Sequence, residues 1–229
     1  MSTQNDVPTT PNTEYTREEA VRTIPEEITQ AKVSIDKKDS DANCVLLPSG
    51  SINSRALIAA VLRDVTLVNH TPAEESRNNT EEWFYKLEFQ FDHRPESRYT
   101  AYLSSDKYAG SNEEIKQLAE QDHVIKSVVV HGKLNPLDSN GSSLDDIRGS
   151  LRVEQLNEVP IAEMRRTQLE CAEATHERLT STDDTQMKLK ELADSKYAAD
   201  DNYDQEQLTE IAEQAIEAIA DEARSRASA

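Results

Sequence analysis

The sequence predicts an α+β protein: a closed five-stranded β-barrel with an N-terminal helical lead-in and a C-terminal α-helical region. Three observations predict it. Between Cys44 and Val159 apolar residues recur with the two-residue period of strands in five separate runs. A single run of helical period falls between the third and fourth of them. After Pro160 the period lengthens to that of helices and stays so to the C-terminus.

Taken in order, residues 1–13 are polar and Pro-containing, the composition of a disordered terminus. Residues 14–43 form a helical or extended lead-in. There Thr16 and Glu19 have capping-box spacing, which predicts a short helix that Pro25 restarts or ends. The barrel is expected over residues 44–159. Its strands are Leu57–Val68, Trp83–Asp92, Arg98–Leu103, His123–Leu134 and Ile147–Leu156, and Ser111–Gln121 is the intervening helix. Residues 160–229 are the helical region, with helices over 161–180, 185–198 and 204–224. The last carries the clearest stripe, Leu208, Ile211, Ala212, Ala215, Ile216 and Ile219. Helices with stripes this narrow bury little alone, so they should pack on the barrel or on a partner.

Three strands, a helix and two strands is the order of an OB-type barrel, in which closure removes the exposed strand edges. The first strand is long, as it must be to serve both halves of a curled sheet. The polar stretches Asn69–Glu82 and Asn135–Asp146 would flank the binding face of such a barrel.

Charge sets the setting. The chain has 44 Asp and Glu against 25 Lys and Arg, a net charge of −19, and 36% hydrophobic residues. That is below the roughly 45–50% of average globular usage, so the core should be compact. The excess is spread over the chain, with nets of −10 over residues 1–160 and −9 over residues 161–229. Such a surface holds water and resists aggregation in molar salt, as expected of a protein from an extreme halophile. Cys44 and Cys171 are far apart and show no zinc-site spacing. No apolar run approaches the roughly 18 residues of a membrane span, and the polar N-terminus has no signal-like core, so a cytoplasmic location is expected. The five histidines show no HExxH spacing, and neither a phosphate-binding P-loop nor a GxSxG elbow is present. An enzyme, a metal and a cofactor are not expected.

Several stretches resemble one family. CVLLPSGSINSRALIAAVLRDVTLV at residues 44–68 resembles the opening of the OB domain in the haloarchaeal replication protein A-associated proteins. RYTAYLSSDKY at 98–108 and VVVHGKL at 128–134 are similar to that family's third and fourth strands. RRTQLECAEATHERL at 165–179 and KYAADDNYDQEQLTEIAEQAIEAI at 196–219 resemble its C-terminal helices. The likeness spans roughly residues 17–220 in the family's order. It departs at Tyr102–Asp106, where the family has YAGQY, and in a longer loop before Trp83. The resemblance implies a protein that works with single-stranded DNA and associates with a replication protein A subunit in DNA replication and repair.

Alternation supplies the candidate site residues. In the second strand Trp83, Tyr85, Leu87, Phe89 and Phe91 share the core face, and Phe84, Lys86, Glu88 and Gln90 share the other. In the third, Tyr99, Ala101 and Leu103 alternate with Arg98, Thr100 and Tyr102. The outer surface would then display Phe84, Lys86, Arg98 and Tyr102, two rings and two cations suited to stacking bases and touching phosphate. Arg55, Arg63, Lys133 and Arg148 are further phosphate-contact candidates. In molar salt the Debye length falls to about 3 Å, so stacking and close contact matter more than long-range attraction and a negative total is compatible with binding. Two alternatives stay open: Phe84 and Tyr102 could instead lie under the C-terminal helices, and the chain could be a protein-binding scaffold that never touches DNA.

Overall fold

The structure, a computed structural model, describes residues 19–36, 43–70, 82–104, 115–121, 124–138 and 147–227. The expectations for residues 1–13, for Thr16 and for most of both long loops lie outside these residues. The chain is a mixed α+β protein with one large sheet, one small sheet and several helices.

The lead-in consists of β1 (Val21–Arg22), α1 (Pro25–Gln30) and β2 (Val33–Asp36). Glu19 and Ala20 are not helical, so the helix expected at the capping box is corrected to one that starts at Pro25. Proline suits that place because its φ is already helical and its missing N–H would have had no partner. β3 (Asn43–Leu46) pairs with β2 on one side and with β4 (Ile52–Asn53) on the other in a three-stranded antiparallel sheet, ordered β2-β3-β4, instead of joining the large one.

The large sheet contains β5 (Arg55–His70), β6 (Glu82–Phe91), β7 (Arg94–Ser104), β8 (Lys126–Asp138) and β9 (Ile147–Glu158), with β1 added in parallel to β5. A short helix, α2, spans described residues 115–119 between β7 and β8. Pairing runs β5-β6-β7-β9-β8, and β8 pairs back to β5. The 16-residue β5 makes that return feasible: Arg55–Leu62 pair with β8, and Val61–His70 pair with β6. The register shifts between Leu62 and Asp64, at Arg63, where an irregularity of this kind bends and twists a strand from one half of a sheet to the other. β7 and β9 meet in parallel at Tyr102 and Arg152.

The inward faces supply Ile58, Leu62, Leu87, Phe89, Leu103, Val128, Val130, Leu151 and Val153, all buried. α1 adds Ile28 to this core, and α2 adds Ile115 and Leu118. α1 docks directly on the β9 backbone at Gly149, where a Cβ would lie 1.8 Å from the Ile28 carbonyl oxygen, so only glycine fits. At full burial, a side chain of the size of Leu or Phe contributes about 1.5–3 kcal/mol, which makes this the main stabilising centre.

The tail forms α3 (Ile161–Thr180), α4 (Asp184–Tyr197) and α5 (Gln205–Ala227). α3 packs against β1, β5 and β8 and against α5. Ala172 and Leu179 of α3 meet Leu208, Ile211, Ala212 and Ala215 of α5, with Ile24 of the lead-in between them. α4 covers the small sheet through Ala193 and Tyr197, which pack on Leu46. The Tyr197 hydroxyl donates to the Leu46 carbonyl at 2.5 Å and accepts from the Lys32 amide at 3.0 Å. Asp183 caps α4, its carboxylate accepting from the Thr185 and Gln186 amides. The helices thus pack on the large sheet, the small sheet and the lead-in.

Candidate nucleic-acid interface

Alternation along β6 and β7 decides what faces outward. Tyr85, Leu87, Phe89 and Phe91 of β6 and Tyr99, Ala101 and Leu103 of β7 are buried. Phe84, Lys86, Glu88, Thr100 and Tyr102 are half-buried on the opposite face, and Arg98 is exposed. The side chain of Trp83 lies outside those described. Lys86 stands directly opposite Tyr102, and Phe84 opposite Ser104, so the two rings are diagonal cross-strand neighbours, about 7–8 Å apart at such positions. The tail helix α3 packs on β1, β5 and β8 and reaches the β6–β7 hairpin at Asp92, which accepts from Arg165 Nε at 2.9 Å. Its packing is therefore on other strands than the pair that presents Phe84 and Tyr102.

Register extends this face around the ring. Tyr102 is paired with Arg152 of β9, Arg152 with Lys133 of β8, and Lys133 with Arg55 of β5. One row of half-buried residues therefore runs Lys86, Tyr102, Arg152, Lys133 and Arg55 across five strands. Arg152 was not among the sequence candidates, although its place between inward Leu151 and Val153 marks it as outward. Its Nε is buried and has no hydrogen-bond partner among the described residues.

The cations differ in how they are held. Lys86 Nζ donates to Glu88 Oε1 at 2.5 Å, and this bond raises its pKa above the ordinary value while slight burial pulls the other way. Arg55 makes two bonds to Glu154, at 2.8 and 3.3 Å. Arg63 sits at the β5 irregularity, away from the row. Arg98 and Arg148 are placed elsewhere: with Arg94 they line a cleft beside α1 and the β6–β7 hairpin. Tyr99 also lines it. Burial drives its phenol far above the ordinary range, opposed by nearby Arg148 and the Leu151 amide. Arg98 shares the outward side of β7 with Thr100 and Tyr102, four residues of strand from Tyr102, about 13 Å at strand rise.

Both cysteines are buried and free. Burial pushes the Cys171 thiol up to about 12, so it carries no thiolate at neutral pH. Among the described residues no group of three His, Cys, Asp or Glu is placed to hold a metal, and no described helix is long and apolar enough to cross a membrane.

No protein-family model and no curated protein matches this chain. Among solved structures, the small single-stranded DNA-binding protein from Streptomyces coelicolor is similar over 49% of this chain and 98% of its own, at 12% identity and a TM-score of 0.27. That superposition is too loose to carry over any residue.

Proposed function

We propose that the five-strand ring is an OB-type barrel and that the outer face of β6 and β7 binds single-stranded DNA. The order of pairing supports the first part, because a barrel of that type joins its first strand to both its second and its fourth and sets its third beside its fifth. The observation that carries the second is the arrangement of Phe84 and Tyr102 as diagonal neighbours around Lys86. Rings at that spacing offer successive stacking surfaces, each contributing roughly 1–3 kcal/mol per base, and the row through Arg152 and Lys133 offers cations to the backbone. In this reading the chain is a binding protein of a halophile's cytoplasm, not an enzyme, and it acts beside a replication protein A subunit as the family resemblance implies.

A second reading has its own observation. Lys86 is tied to Glu88 and Arg55 to Glu154, and a face whose cations are already neutralised suits a protein partner, making the chain a scaffold of the same complex. A titration of the full chain with a single-stranded oligonucleotide in molar KCl separates the two. Saturable quenching of Trp or Tyr fluorescence without a partner supports direct binding. Absence of any change up to high micromolar DNA rejects it in favour of the scaffold.

A further inference from the structure

The row of outward residues that crosses the ring holds four cations, and they are not equivalent. At its two ends Lys86 is bonded to Glu88 and Arg55 to Glu154. Between them Lys133 of β8 and Arg152 of β9 stand directly opposite each other, and neither is paired with a carboxylate among the described residues. Facing positions on neighbouring strands hold Cβ atoms about 4.5–5.5 Å apart, and like charges there repel. Both residues are half-buried. Arg152 Nε is shielded from solvent and bonded to no described acceptor, which adds a desolvation cost to the repulsion. Acidic residues outnumber basic ones 44 to 25 in this chain, so carboxylates to quench the pair are plentiful. Yet Glu154, two residues along β9, serves Arg55 instead, through bonds of 2.8 and 3.3 Å.

An anion seated across the two side chains removes both costs at once. The donors select its chemistry: a guanidinium fork matches two oxygens of a phosphate, and the ammonium adds a point charge to the same group. Tyr102 is the neighbour of Arg152 in register, so its ring stands one strand spacing from Arg152 and two from Lys133, about 5–10 Å. We infer that Lys133 and Arg152 clamp one backbone phosphate of a single strand, the phosphate next to the base stacked on Tyr102. The strand then crosses β6, β7, β9 and β8 instead of following β7 toward Arg98. The clamp rests on the reading of the β6–β7 face as a stacking surface, and it moves the main phosphate contact away from Lys86, whose charge Glu88 already meets.

Fluorescence titration of the full chain tests the clamp with two oligonucleotides of one sequence, a phosphodiester strand and its uncharged methylphosphonate analogue, over KCl concentrations that keep the chain folded. Lys133→Gln/Arg152→Gln should bind the phosphodiester strand at least about tenfold more weakly than the parent, the scale of a lost charge-assisted bond. The slope of log affinity against log salt should fall in magnitude by about 0.7, the value for one phosphate of a single strand. The methylphosphonate strand should bind parent and variant equally, because it engages the rings alone. Arg166→Gln/Lys188→Gln removes two exposed charges from the tail helices and should change neither quantity. Relief of the repulsion should leave the melting temperature of the clamp variant unchanged or raised. If it melts lower, Lys133→Gln alone carries the test, with a severalfold loss on the phosphodiester strand only. An unchanged salt slope in the clamp variant, an equal loss in the tail control, or equal affinity of the parent for both backbones overturns the clamp and leaves the stacking face standing. Tighter binding of polyglutamate than of the oligonucleotide assigns the pair to an acidic protein and overturns the phosphate. No binding of either strand by the parent overturns the clamp together with the function proposed above.

Discussion

Charged residues occupy two very different settings in this molecule. At the seam between the tail and the lead-in, Glu27 is fully buried and accepts from the Thr23 hydroxyl, from the Ser49 amide at 3.0 Å and from Arg178 at 2.8 Å. Nearby, Lys32 and Asp200 pair at 2.8 Å with side chains 5% and 0% exposed. On the outer face of β6, by contrast, Lys86 and Glu88 are 36% and 27% exposed. Water has been removed from the first set and remains around the second. Buried pairs are expensive to form and more expensive to break, whereas exposed pairs are weak and screened by salt. The seam therefore ties the tail to the lead-in through desolvated pairs, whereas the charges of the outer face stay hydrated and open to screening by salt.

The largest expected effect comes from salt, because it acts on exposed charge and spares the seam. With a net charge of −19, lowering KCl from molar to 0.1 M should unfold the chain as its surface repels itself with less screening. A melting temperature that stays constant over that range, followed by circular dichroism, removes the halophilic reading. At the seam, Arg178→Met should cost about 3–5 kcal/mol, since Glu27 is left charged and buried without its partner. Urea unfolding measures it, and adding Glu27→Gln should recover part of the loss. A cost under about 1 kcal/mol would put the seam in the same class as a surface pair and end the contrast. Phe89→Ala, in the ring core, should cost a similar 3–5 kcal/mol and serves as the packing reference.

The outer face should respond in binding instead of stability. Phe84→Ala and Tyr102→Ala should each weaken single-strand affinity by about 1–3 kcal/mol while the ring stays folded. Equal affinity of both variants and the parent for an oligonucleotide in molar KCl would leave the scaffold reading in place.

How much of this was legible in the sequence follows from the length of each pattern. α3 spans the expected residues 161–180, because Pro160 marks its start and twenty residues of helical pattern follow. β5 to β9 were visible through alternation, but β7 begins at Arg94 instead of Arg98, since Pro95 and its polar neighbours look like a turn. Proline is tolerated there near the hairpin, away from the Tyr102–Arg152 pairing with β9. β1 and β4 are two residues each, too short for any period to show. The inward and outward sets on β6 and β7 were readable residue by residue; the row through Arg152 was not, because it depends on register across four strand pairings. The cleft was less legible still, being assembled from α1, three strands, an interhelical turn and α5, which are distant in the chain.

The smallest predicted effect is the most discriminating for the outer face. Glu88 holds Lys86 through a short hydrogen bond and is the main cause of the raised lysine pKa. A lysine whose folded pKa lies above its unfolded value of 10.5 adds stability that is fully present below that value and is lost as pH climbs through the folded pKa. With both side chains partly in water this contribution is under about 1 kcal/mol, so Glu88→Gln should leave neutral-pH stability nearly unchanged and reduce only the loss seen on the alkaline side. Its effect on DNA should have the opposite sign to that of a contact residue. Removing the carboxylate frees the Lys86 ammonium and deletes a negative charge from the path of the phosphates, so affinity should rise severalfold, and the gain should shrink as KCl increases. A protein partner that docks on the Lys86–Glu88 pair would instead be bound more weakly by the variant, and DNA would be indifferent to it. Fluorescence titration of parent and Glu88→Gln at two KCl concentrations, both high enough to keep the chain folded, distinguishes the two outcomes by the direction of the change alone.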